Sequence, residues 1–181
     1  MESTSFDSDF EELLSVFIAG GVRFLVVGGY AVSSHGHPRN TKDLDLWVEP
    51  ELSNARRAWE ALAVFGMPLR GIRPEDLAEP GPWLQFGRVP KRVDVLTAIG
   101  GLEFAGAWER RVVRRFGKVD APVLCVADLI LNKRTVGRTQ DIADAERLEA
   151  IHGDGDGAGR VSERRPARRK ARIVKTPRRR A

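Results

Sequence analysis

The sequence predicts an α+β fold, a β-sheet flanked by helices and finished by two C-terminal helices and a disordered basic tail. Three observations predict it. Short runs of strand length, VRFLVV, DLDLWV, WLQFG and KRVDVLT, are interleaved with amphipathic segments of helical spacing. Glycine pairs punctuate the passages between elements, at Gly20-Gly21 and Gly28-Gly29. Beyond residue 152 the composition changes: eleven Arg and Lys stand against three Asp and Glu, whereas residues 1–152 carry 19 against 22. The net charge of +5 therefore hides a mildly acidic body and a strongly basic end. That end has almost no large apolar side chains, so burial cannot offset the cost of ordering its backbone. We expect one domain over residues 1–152 and a disordered tail over 153–181.

Taken in order, Ser8 and Glu11 have capping-box spacing at the start of a first helix. Its apolar positions Phe10, Leu13, Leu14, Phe17 and Ile18 recur helically until Gly20-Gly21 stops it. VRFLVV, residues 22–27, is too short and β-branched for a buried helix and reads as a central strand. At Gly28-Gly29 that strand must turn sharply into a helix carrying Tyr30, Ala31 and Val32. Glycine permits both the turn and the close approach of a phosphate. Residues 35–42 form a loop in which Arg39, Thr41 and Lys42 can contact a ligand, and residues 43–48 form a strand. Pro50 opens an amphipathic helix through Leu52, Ala55, Trp59 and Leu62, closed near Gly66. Residues 67–82, rich in Pro and Gly, either cover a site or connect elements. WLQFG and KRVDVLT, linked through Pro90, form a hairpin. A helix or loop through Phe104 and Trp108, a strand near RRVV and another near VLCVA follow. Of the last two helices, one starts at Asp128 and carries Leu129, Ile130 and Lys133. The other presents Ile142, Ala145, Leu148 and Ile151 on one face until Gly153.

Strand alternation puts Asp43, Asp45 and Trp47 on one face and Leu44, Leu46 and Val48 on the other. At about 3.3 Å rise per residue the two Asp Cβ atoms stand roughly 6.6 Å apart. Unpaired they repel; a divalent cation, or two held about 3.5–4 Å apart, resolves the repulsion. Asp94 repeats the pattern, sharing a face with Arg92 and Leu96 opposite Val93, Val95 and Thr97. Carboxylate-only ligation suits Mg²⁺ or Mn²⁺ and disfavours zinc. Plainer readings stand beside these. Asp43 and Asp45 fit a solvated strand edge, Lys133 the exposed side of a helix, and Asp141 and Asp144 ion pairs with Arg138 or Arg147. His35 and His37 suit loop or phosphate contacts better than a metal pair, and the four tryptophans suit core filling. Cys125, the only cysteine, excludes an intrachain disulfide and reads as buried in VLCVA. No run approaches a membrane span, and the acidic start lacks the order of a signal peptide, so a cytoplasmic protein is expected.

The Gly28-Gly29 turn, the Asp43-x-Asp45 strand and the third carboxylate at Asp94 together resemble the DNA polymerase β-like nucleotidyltransferase superfamily. More narrowly, KRTVGRTQDIAD, with Lys133, Arg138, Asp141 and Asp144, resembles the small bacterial AbiEii-like nucleotidyltransferases. The resemblance covers roughly residues 10–152. It implies a nucleotidyltransferase fold on a mixed β-sheet, with Asp43, Asp45 and Asp94 catalytic and holding Mg²⁺ (or Mn²⁺). Gly28 and Gly29 would cradle the triphosphate of an NTP such as ATP, and Lys133 would neutralise phosphate charge. Ser33, Arg39, Thr41 and Lys42 complete the expected nucleotide site. Gly29 stands where many relatives have serine, so a hydroxyl contact must come from Ser33, Ser34 or Thr41. The implied reaction moves an NMP to an acceptor hydroxyl, on tRNA or other RNA in a toxin–antitoxin setting with a cognate antitoxin or toxin. The basic tail would attract nucleic acid with a salt-dependent affinity, although no aromatic residue is interleaved for stacking. Two alternatives stand: a noncatalytic nucleotide- or nucleic-acid-binding antitoxin or partner of the same fold, and an enzyme modifying a small molecule such as an aminoglycoside.

Overall fold

A computed structural model describes residues 6–88 and 91–153. The expected tail beyond Gly153 and the Val89-Pro90 link therefore lie outside the described residues. Helix α1 (Ser8–Ala19) buries Phe10, Leu13, Leu14 and Phe17, while Ile18 is exposed. Its cap is Asp7, which accepts from the Asp9 N–H at 2.9 Å, and not Ser8. The capping-box spacing misplaced the start by one residue because a charged acceptor stood immediately upstream.

Strand β1 (Phe24–Val27) is wholly buried and runs directly into helix α2 (Gly28–Ser34). Strand β2 (Asp43–Val48) follows the loop, and helix α3 (Leu52–Val64) is capped by the Glu51 carboxylate. The Pro- and Gly-rich segment that follows forms a short 3-10 turn at Pro74–Leu77. It packs on α3: the Trp59 indole donates to the Ile72 carbonyl at 2.9 Å and Leu77 is fully buried. The hairpin is β3 (Trp83–Arg88) and β4 (Lys91–Leu96), and after it come α4 (Phe104–Glu109), β5 (Val112–Phe116) and β6 (Val119–Val123). Helices α5 (Val126–Val136) and α6 (Thr139–His152) end the described chain, stopped at Gly137 and Gly153 respectively.

Two expectations change here. Strand β6 ends at Val123, the first residue of VLCVA, and Cys125 is half-buried as the residue before α5, which starts at Val126 and not at Asp128. On α6 the buried side chains are Asp141, Asp144, Ala145 and Leu148, whereas Ile151 is exposed. Ala145 and Leu148 are inward as expected, but a strict three-residue step drifts around the helix, and charged partners, described below, make Asp141 and Asp144 the other inward residues in place of Ile142 and Ile151.

The sheet is mixed, in the order β3-β4-β2-β1-β6-β5. Its two central strands β1 and β2 are antiparallel, each with a parallel neighbour: β6 beside β1 and β4 beside β2. Hairpins supply the outer strands. Leu44, Leu46 and Val48 are fully buried on one face of β2, which commits its other face to Asp43, Asp45 and Trp47. Trp47 is itself buried, with the Phe104 ring of α4 set edge-on at 5.1 Å. The carboxylates thus occupy the end of a face that is otherwise roofed by apolar side chains. No helix among the described residues is long and apolar enough to cross a membrane.

Candidate active site

Register brings the three carboxylates together. Asp45 lies opposite Asp94 across the parallel pair β2–β4 and opposite Val27 on its other side, one residue before the glycine turn. Asp43 lies opposite Arg92, one step along the same face. At Gly28 the backbone takes φ +63°, and a Cβ there would overlap the Asp45 carboxylate and come within 2.7 Å of its Cγ. Glycine is required twice, for the left-handed backbone and for the space that Asp45 occupies. Gly28→Ala is expected to destabilise the fold by about 1–3 kcal/mol and to cut activity at least tenfold by displacing Asp45. Urea unfolding and a transfer assay on the same preparation check both.

A Cβ at Gly29 would overlap the Thr41 hydroxyl and stand 2.7 Å from the Thr41 Cβ. Thr41 therefore fills the space a side chain at position 29 would take. Ser33 donates to the Gly29 carbonyl at 3.0 Å and Ser34 to the Ala31 carbonyl at 2.8 Å, both within the helix. The Thr41 hydroxyl has only a long 3.4 Å contact to the Asp43 carbonyl, so of the three it is the least committed. His35 is a structural residue: it is buried at the end of α2 with Nε2 2.8 Å from the Leu124 carbonyl. His37 stands 3.9 Å from Asp144, and Lys42 is exposed.

The electrostatics reflect crowding. Burial, then the charges of Asp94 and Asp43, push the Asp45 carboxyl up to about 7 from an ordinary value near 3.8. Burial also raises Asp94, against the Gln85 amide, which donates to its Oδ1 at 3.0 Å, and the Arg92 charge. The consequence for stability has a definite sign. A carboxyl whose folded pKa lies above its unfolded one binds more protons in the native state, so stability falls as pH rises between the two. Without divalent cations Asp45's own contribution to stability is expected to fall from about pH 4 through about 7, at a cost on the order of 1–3 kcal/mol. Asp45→Asn should flatten that slope, which scanning calorimetry in chelator would detect.

Behind the carboxylates lies a buried charge cluster. Lys133, 5% exposed, donates to Asp141 at 2.7 Å and pairs with Asp144 at 3.1 Å. Asp144 also takes Arg39 at 2.5 Å, and Asp141 takes Arg138 at 2.6 Å. Burial works against the Asp141 charge, but hydrogen bonds from Arg138 and Lys133 hold its carboxyl below the usual range. The Lys133 charge reaches Asp45 and works to lower its pKa. Asp144 thus ties the Arg39 loop to α5, and Lys133 is far from the exposed helix side that plain periodicity offers.

Whether the aspartates suit a divalent cation turns on chemistry and arrangement. The donors are all carboxylate oxygens, and Asp43 Oδ1 is buried with no hydrogen-bond partner among the described residues. Both features fit a hard cation. As they stand, however, no three His, Cys, Asp or Glu side chains among the described residues converge as a metal-holding group. Arg92 stands among them: its guanidinium pairs with Asp43 and lies 3.5 Å from Asp94 Oδ1. Arg92 and Gln85 are the site residues that sequence reasoning passed over. The signal was present, since Arg92 sits two residues before Asp94 on a strand and must share its face.

No protein-family model matches the chain, nor does any curated protein. Among solved structures it superposes on the lincosamide antibiotic adenylyltransferase LnuA, solved with lincomycin bound, at a TM-score of 0.54 and 12% identity. The match covers 81% of this chain and 98% of that one. The likeness is one of architecture: the chain is α+β, a mixed six-stranded sheet flanked by helices, in a nucleotidyltransferase fold.

Proposed function

We propose that the protein is a Mg²⁺- or Mn²⁺-dependent nucleotidyltransferase of the AbiEii-like group that moves an NMP from an NTP to an acceptor hydroxyl. The observation that carries this reading is the strand register, which sets Asp45 opposite Asp94, and Asp43 beside them, against a glycine turn whose missing side chains leave room for Asp45 and Thr41. Asp43, Asp45 and Asp94 would hold the cation. When bound, it supplies Lewis-acid stabilisation of the phosphoryl oxygens and of the attacking hydroxyl. The chain's own residues do the rest. Gly28 and Gly29 would cradle the triphosphate at a turn against which Asp45 and Thr41 pack, with Thr41 offering a hydroxyl, Arg39 and Lys42 offering positive charge, and Lys133 adding its charge from its buried pairing with Asp141 and Asp144. Asp94, raised by burial and oriented by Gln85, accepts the proton of the acceptor hydroxyl as its oxygen bonds to the α-phosphorus and pyrophosphate leaves.

For the acceptor we take RNA, tRNA included, in the cytoplasmic toxin–antitoxin setting that the AbiEii-like resemblance implies; the +8 charge of residues 153–181 supports a polyanionic acceptor. A small-molecule hydroxyl is the second reading, favoured by the fold shared with an adenylyltransferase of a lincosamide antibiotic. The test is transfer of label from each α-³²P NTP, with Mg²⁺, into total RNA, lysate protein, and aminoglycoside and lincosamide panels. Label in RNA is expected. Label only in a small molecule moves the acceptor and keeps the reaction. No label anywhere from a folded preparation contradicts catalysis and favours a noncatalytic binding partner.

A further inference from the structure

Arg92 is the one site residue whose position opposes the chemistry around it. It sits on the carboxylate face, exposed enough to move, and pairs with Asp43 while its Nε lies 3.5 Å from Asp94 Oδ1. That Nε is buried and makes no hydrogen bond, so the guanidinium is held by charge more than by a complete set of bonds. Asp43 Oδ1 is likewise left without a partner. One cation thus bridges two carboxylates, incompletely, where a harder cation would use the same oxygens.

We propose that Arg92 is the site's resident counter-cation and makes metal entry depend on the triphosphate. The inference rests on the nucleotidyltransferase reading above and adds a coupling to it. A free divalent ion approaching Asp43 and Asp94 must displace the guanidinium and leave it without an anion. That displacement opposes binding. A triphosphate arriving with the metal offers Arg92 a replacement, because guanidinium and phosphate pair in the same forked geometry as guanidinium and carboxylate. The exchange then swaps one charge pairing for another, and metal and nucleotide raise each other's affinity by the same factor. Arg92 is a positioning residue in this scheme; it holds the carboxylates together before the substrate arrives and selects the metal–nucleotide complex over bare metal.

Mn²⁺ binding followed by electron paramagnetic resonance, with and without a non-hydrolysable NTP analogue, tests this without reference to turnover. Wild-type protein is expected to bind Mn²⁺ about tenfold or more tightly with the analogue present. In Arg92→Gln the nucleotide-free affinity should rise severalfold and the coupling should shrink, while the metal-free melting temperature falls because the carboxylates lose their counter-cation. Arg92→Lys, the milder change, should also raise nucleotide-free affinity, since one ammonium cannot fork to both carboxylates; it keeps the test open if the glutamine variant does not fold. Nucleotide-free affinity and coupling equal to wild type in a folded variant would overturn the proposal. Absence of Mn²⁺ binding by wild type even with nucleotide is a separate result, which overturns the nucleotidyltransferase reading and the coupling with it.

Discussion

Asp45→Asn is expected to lower nucleotidyl transfer by about 10³-fold or more while leaving the protein folded and, in the absence of metal, more stable. Asp45 is the central carboxylate, opposite Asp94 on one strand and beside the glycine turn on the other. An amide keeps its shape but removes the charge that a divalent cation requires, and losses of two to three orders of magnitude accompany removal of one charged or polar stabiliser of a reacting group. The same charge is costly to the empty fold, since burial and two neighbouring aspartates push its carboxyl up to about 7. Activity and stability should therefore move in opposite directions. Transfer rates and melting temperatures measured together check this, and a variant that lost both would indicate a structural role.

The largest stability loss is expected from Lys133→Met. Lys133 is 5% exposed and faces Asp141, 2% exposed, and Asp144, fully buried. Methionine fills similar volume, yet it leaves Asp141 with Arg138, and Asp144 with Arg39 and the Gln140 amide, without the ammonium that joined the two buried carboxylates. Breaking a buried pair by removing one partner typically costs about 3–5 kcal/mol, a large share of the total stability of a domain this size. Urea denaturation should report that loss, and adding Asp144→Asn should recover part of it, because the two side chains are in contact and their effects do not add. Full additivity would show that they act independently. Since Lys133 also biases Asp45, the single variant should lower activity even in the folded fraction.

Most of the fold was legible where local rules and tertiary placement agree. DLDLWV and KRVDVLT announce strands because one side of each is apolar or β-branched throughout, and that same alternation assigned the aspartates to the opposite face. Gly28 was legible as a turn; that its missing side chain makes room for Asp45 was not, since the two residues meet only through strand pairing. The α6 face was misread for a related reason. Ile142 and Ile151 lie nine residues, about 180°, apart around the helix and cannot share a face; Ala145 and Leu148 are buried as expected, beside Asp141 and Asp144, which turn inward to Lys133 and to Arg39, 105 residues from Asp144 in sequence. Buried ion pairs between distant segments leave no periodic trace. Arg92 illustrates a subtler limit: its face was readable, but a charged residue at a strand start looks like solvent-facing charge until the neighbouring strand supplies its partner. Asp7, one position before the expected cap, is a boundary error of the ordinary kind.

The reaction proposed for this face cleaves an NTP between its α- and β-phosphates and hands the nucleotide to a hydroxyl. Identifying the leaving group tests it most directly: products from α- and γ-labelled NTP are separated after incubation with Mg²⁺ and total RNA, for wild type and Asp45→Asn. Pyrophosphate is expected in equal amount to the nucleotide incorporated, and neither product is expected from the variant. Orthophosphate in place of pyrophosphate, or pyrophosphate release that persists without Asp45, would contradict it.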